Sequence, residues 1–249
     1  MIYDLQKASV LKRAAAWLLD LIMLVVLACG IGMVLSAALN YDQHSQALEA
    51  CYEKYEKEYN IDFDVYADLT PEEQARFEAA NAALQKDAEA LRAYNTVINL
   101  SLTIISLSIL LSYLALEFGV PVLFGNGQTM GKKVFGIGLV RVDGVKISTF
   151  ALFVRTVLGK YTIETMIPVL MAMMIFIGVI GILGPAVVLG LAIVQVALII
   201  TSKTNSALHD HMAATVAVDL ASQMIFNTPE DLMEYKKQVH AEQVKKQTY

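Results

Sequence analysis

The 249-residue chain is 56% hydrophobic and 17% charged, with a formal net charge of -5 and a mean hydropathy of +0.52. This composition excludes an ordinary water-soluble domain, and it offers no basic surplus for a nucleic-acid partner. Charge is also unevenly placed: Asn40–Tyr94 holds 13 acids against 5 Lys and Arg, while Gly125–Glu164 holds 6 Lys and Arg against 2 acids. Short Lys/Arg-rich loops stay cytoplasmic, so the second stretch fixes the expected orientation. Cys29 and Cys51 show neither a disulfide framework nor zinc spacing, and no metal or other cofactor is expected.

Ala14–Leu39 is the first transmembrane helix, since about 20 apolar residues suffice to cross a bilayer. Lys7, Lys12 and Arg13 followed by Ser36-Ala37-Ala38 resemble a signal peptide, but the apolar run is too long and contains Asp20, so the helix is expected to be retained. Asp20 lies two turns past Arg13 on nearly the same face, about 10 Å deeper along the axis. A carboxylate at that depth needs a partner, water or a proton. Asp20 is therefore expected to face the protein interior, and Trp17 to rest at the inner interface.

Residues 40–96 form an acidic outer insert read as a helical hairpin. Gln46–Tyr59 is its first helix, Asn60–Asp68 a break, and Thr70-Pro71-Glu72-Glu73 a capped helix start. The second helix is expected to run directly into the next span, residues 97–124. Asn99, Thr103, Ser106, Tyr113 and Glu117 form a polar stripe along that span. Thr103 and Ser106 are expected to bond their own backbone. Glu117 is placed at the depth of Asp20, and two carboxylates at one level suit a cation or a proton.

Residues 125–164 form a cytoplasmic segment. Gly131-Lys132 does not complete a phosphate loop, because Asn126 and Lys133 stand where that motif needs Gly and Ser or Thr. Val134–Ser148 reads as a β-hairpin turning at Asp143-Gly144, and Thr149–Thr162 as an interfacial amphipathic helix with Arg155 and Lys160 on its polar side. Residues 165–202 hold two short spans divided near Gly178–Pro185, about Thr165–Gly181 and Pro185–Thr201. Residues 203–249 are cytoplasmic: His209-Asp210-His211 lacks the further ligands a metal site needs, Thr215–Val218 is β-prone, and Thr228–Tyr249 is a solvated tail. The fold class is an all-α polytopic membrane protein of about four transmembrane helices, with both termini cytoplasmic.

Three blocks, taken together and in order, resemble the RDD family of bacterial membrane proteins. They are Arg13 with Ala16 and Asp20; Gly127-Gln128-Thr129-x-Gly131-Lys132 followed by Asp143-Gly144; and Leu208-His209-Asp210 with Ala213-x-Thr215-Val216. The family's Arg and two Asp map onto Arg13, Asp20 and Asp210. Met130 stands where Pro is common, and Ala214 where Gly is common. The resemblance implies a bacterial plasma-membrane protein for which transport, with cation/proton exchange in some members, is the usual proposal. On this reading Asp20 and Glu117 carry a cation or proton, Arg13 tunes them, Asp210 completes the site, and Asn99 lies along the path. The alternative is a non-transporting adaptor in which these charges form a structural network. An enzyme is not expected, as no nucleophile–base pair or cofactor loop is present. Four spans are few for a transporter, so a homo-oligomer is expected.

Overall fold

The computed structural model describes residues 5–247 except Tyr66 and Asp68. Asp68, at the end of the expected break, and residues 248–249 of the expected tail lie outside the described residues. Four helices are long and apolar enough to cross a membrane: α1 (Val10–Ala38), α4 (Ala88–Phe124), α6 (Thr149–Phe176) and α7 (Leu183–Thr201). The remaining elements are α2 (Tyr41–Tyr59), α3 (Pro71–Leu84), α5 (Met130–Val134), α8 (Leu208–Met212), α9 (Pro229–Gln247) and the strands β1 (Ile137–Arg141) and β2 (Thr215–Asp219). The chain divides into two compact units, one of residues 28–108 and the other of the remainder.

In the unit of residues 28–108, the insert is a helical hairpin as its composition implies. Asn40 and Asn60 bound α2 with left-handed backbones (φ 51° and 50°), which Asn tolerates better than most residues. The Thr70 hydroxyl accepts from the Glu73 amide and the Glu73 side chain accepts from the Thr70 amide, a complete capping box. Edge-on aromatic contacts tie the hairpin together: Phe63 meets Tyr52 at 5.6 Å and Phe77 at 5.5 Å between ring centroids. The expected continuous run from α3 into the span is interrupted at residues 85–87. Asp87 caps the new helix by accepting from the Glu89 amide at 2.8 Å, and Tyr55 donates to the same carboxylate at 3.0 Å. These bonds hold the Asp87 carboxyl down to about 2. Gly32 of α1 sits against Ser108 and Ile104 of α4, whereas Gly30 has no neighbour within 4 Å. The Thr103 hydroxyl bonds the Asn99 carbonyl and the Ser106 hydroxyl that of Leu102, as expected.

In the other unit, the Asp143-Gly144 turn forms (Gly144 φ 85°), but it closes only one bridge, Val140 to Lys146. The hairpin expectation is corrected here, because β1 instead pairs antiparallel with β2 from Ile137↔Asp219 to Arg141↔Thr215. Lys7 adds a further bridge at Val218. Both faces of this small sheet are covered. Ile137, Leu139 and Ala217 pack with Ala8, Ala16 and Leu152, while Val140, Val216 and Val218 form a second cluster. A strand buried on both faces gains from a second apolar strand, and the arm after the turn is taken up elsewhere, with Val145 buried and bridged to Phe226 and Ile147 packed in the core. Thr149–Thr162 is continuous with the apolar stretch that follows it, as the first half of α6, which Ser148 caps by accepting from the Ala151 amide. The helix that carries the third apolar stretch starts at Thr149 and the one that carries the fourth at Leu183. Between them Gly178 turns the chain at φ 71°.

Both π-helical stretches lie in these long helices, at Tyr113–Gly119 in α4 and Val154–Met166 in α6. After α8, Ala214 is held in the left-handed region at φ 49°. A non-glycine residue pays about 1–2 kcal/mol there. Ala214→Gly is therefore expected to raise stability by about 1 kcal/mol, read as a higher midpoint of thermal unfolding in detergent.

Candidate functional site

The inward face of α1 carries Ala16, Asp20 and Leu24, its three buried residues, at four-residue steps. The Asp20 carboxylate accepts from the Thr129 hydroxyl and from the Gly131 amide, the latter at 2.7 Å. It thereby holds the first turn of α5 against α1 from outside. The Thr129 hydroxyl also accepts from the amide of Lys132, as a cap, and from its ammonium at 3.1 Å. Lys132 Nζ lies 3.9 Å from Asp20. Gly131 is required by this contact, since a Cβ there would fall 2.3 Å from the Ala16 carbonyl oxygen. The rest of the motif builds the approach. Gln128 donates to the Ile137 carbonyl at 2.9 Å, and Gly127, at φ 64°, leaves room for Leu139.

Glu117 is buried on the π-helical turn of α4 and receives Lys160 Nζ at 2.5 Å. The Thr156 hydroxyl donates to the Glu117 backbone carbonyl at 3.1 Å. Asp210, at 0% exposure, is the centre of the last group. It accepts from Arg13 Nη2 and Arg155 Nε, each at 3.0 Å, from the Ala207 amide at 3.2 Å and from the Thr215 hydroxyl at 3.3 Å. Arg13 also donates to the Asn205 carbonyl. His209 Nδ1 lies 2.7 Å from Glu164, which also accepts from the His209 amide at 2.9 Å. Gly159 lets this happen, because a Cβ there would meet the His209 Cβ at 2.6 Å.

Arg13, Asp20, Glu117, Asp210, Lys132 and His209 are thus brought into one buried network. Two expected roles are corrected. Arg13 serves Asp210, because the last block folds back onto the start of α1, and Asp20 is served by α5. Asp20 and Glu117 are not a bare carboxylate pair, since each has its own cation. Asn99 belongs to the other unit, where it is exposed on α4 and its carbonyl accepts from the Thr103 hydroxyl. Arg155, Lys160 and Glu164 belong to the network although α-helical periodicity assigns Arg155 and Lys160 to a solvated face. Spacings of five and nine residues put these three side chains on different faces at 3.6 residues per turn. The i→i+5 ladder takes more residues per turn and gathers them on one.

The formal charges of the network balance, with Asp20, Glu117, Glu164 and Asp210 against Arg13, Lys132, Arg155 and Lys160, and with His209 between Glu164 and Asp210. Among the described residues, no buried side-chain polar atom lacks a partner. Burial alone would raise the Asp210 carboxyl, but Arg155, His209 and Arg13 hold it well below the usual carboxylate range. Burial pushes the Lys132 ammonium down from 10.5 to about 7; Lys160 and Arg155 add to the push, and Glu117 and Asp20 oppose it. Burial also lowers His209, against the pull of Asp210 and Glu164.

Two outcomes follow. Gly131→Ala should destabilise the protein by about 1–3 kcal/mol, as overpacking does when a backbone atom is the obstacle, measured by thermal unfolding in detergent. Lys132 binds fewer protons in the folded state than in the unfolded one between about pH 7 and 10.5, and the native state gains stability as pH rises through that window. Unfolding midpoints of wild type and Lys132→Gln, compared from pH 7 to 9, should show the wild type gaining on the variant; a constant difference would contradict the depressed value.

Comparison with known families matches residues 7–214 to the RDD family. No curated protein and no solved structure matches the chain. The match runs from the segment before Arg13 to the residue before β2, and so contains every member of the charge network. This membrane protein belongs to the RDD family.

Proposed function

We propose that the protein is a proton-coupled transporter of a small monovalent cation, in which Lys132 holds the place of the cation. The observation that carries this reading is a buried ammonium beside Asp20, under the field of Glu117, in a network otherwise closed by fixed charges. With Lys132 protonated, four carboxylates face four cations. When Lys132 loses its proton near neutral pH, one negative charge is uncompensated, and a single monovalent cation restores balance. A proton leaves as a cation enters, so the exchange is one for one. A low-dielectric surrounding makes each uncompensated charge costly, which couples the two events. The basic loop supports a cytoplasmic side for that loop and for both termini, and the family supports a bacterial plasma membrane. A homo-oligomer is the proposed working unit, because four spans enclose little space.

The completeness of the network favours a second reading, a scaffold whose charges only tie helices together. One experiment separates them. Protein in liposomes with an imposed pH gradient and an internal pH dye is given sodium or potassium. Cation-dependent proton movement is expected in wild type, falling at least tenfold in Asp20→Asn and Lys132→Met at normal folded yield. No flux in wild type, with Asp20→Asn losing folded yield, would establish the scaffold instead.

A further inference from the structure

Lys133 and Lys146 belong to the unit that holds the network but stand outside the network itself. The Lys133 ammonium lies 3.8 Å from the centroid of the Phe124 ring. The Lys146 ammonium lies 3.8 Å from where a Cβ on Gly125 would be. Lys133 comes from α5 and Lys146 from the segment after the Asp143-Gly144 turn, yet both reach the same corner, the last residue of α4 and the glycine that ends it. Lys12, Arg13, Lys132, Arg141, Arg155 and Lys160 each have a carboxylate within 4.0 Å. Among the described residues, Lys133 and Lys146 have none.

The stretches of chain next to these residues expose large apolar side chains. Leu123 is 85% exposed, Phe150 76% and Val134 69%. Leu123 precedes Phe124 on a helix long and apolar enough to cross a membrane, Val134 follows Lys133, and Phe150 lies in the first turn of α6. Exposed large apolar side chains close in the chain to ammonium groups without a carboxylate partner match the level at which hydrocarbon gives way to headgroups. The partial negative charge at the end of α4 favours one lysine there. It does not call for a second, delivered from a separate loop.

We propose that Lys133 and Lys146 bind the phosphate of an anionic membrane phospholipid, with its acyl chains against Leu123 and Phe150. A phosphodiester carries one negative charge and unesterified oxygens that two ammonium groups can share. Free phosphate offers the same anion but makes no use of the apolar flank, so a lipid is the occupant the surface fits. The inference depends on membrane embedding and is independent of transport.

The test uses the full chain in neutral detergent, with phosphatidylglycerol, phosphatidylcholine or inorganic phosphate added at equal phosphate concentration. Phosphatidylglycerol should raise the thermal midpoint several degrees above the phosphatidylcholine value, and inorganic phosphate should not. Lys133→Gln/Lys146→Gln should lose at least half of that increment while keeping its phosphatidylcholine midpoint; Lys54→Gln/Lys57→Gln, in the insert, should keep all of it. Equal effects of the two lipids, an equal shift from inorganic phosphate, or an equal loss in the insert variant would overturn the site. If the double variant is unstable, native mass spectrometry of the two single variants decides. Each should retain fewer phosphatidylglycerol molecules than wild type, and unchanged retention overturns the proposal.

Discussion

The fold of the unit that holds the network depends on closing Asp210. This carboxylate is fully buried, and its two guanidinium partners come from the start of α1 and from α6. Removing one partner of such a pair leaves an uncompensated buried charge, at about 3–5 kcal/mol. Three distant stretches of chain are thereby held in one arrangement. Two turns further along α1, Asp20 does the same for the short helix α5. Between helices in lipid, apolar surface supplies no drive to associate, because the tails are equally apolar. Charge closure specifies which helices meet and at what height.

Much of the architecture was legible in the sequence, because length and apolarity are local properties. α1 and the apolar body of α4 follow from uncharged runs, and the break at Gly178 follows from glycine and proline spacing. The inward direction of Asp20 was legible from the expense of its charge alone. The partner of β1 was not. Alternation identifies a strand, and Asp143-Gly144 correctly identifies a turn, but neither shows that a distant apolar segment will compete for the same edge. The cap at Asp87 was hidden for another reason: one acid among thirteen in the insert carries no mark of the two bonds that distinguish it.

Arg155, Lys160 and Glu164 show a third kind of failure. Their residue types were visible, but their common direction depends on a backbone winding that no residue type announces. The inward face of α6 is therefore set by the winding of its backbone. With these residues included, the apparent excess of buried acid disappears, and the question for function becomes which cation of the network can leave or lose its proton. Arg13 and Arg155 are both held on the Asp210 carboxylate by hydrogen bonds of 3.0 Å. Lys132 lies outside the long helices and beside the motif glycine, and for that reason it is the member that the proposed exchange assigns to this part.

The wide winding of α6 also restricts how this sequence can evolve. Thirteen consecutive residues depart from ordinary helical spacing, so the register of everything after them is tied to their exact number. Losing a single amino acid from that stretch would leave the hydropathy of the span intact, yet each later side chain would swing by roughly a quarter of a turn. Glu164 would turn away from His209 while the chain still inserted as a normal span. Among relatives, a gap in this helix would mark lost wiring more clearly than most point substitutions.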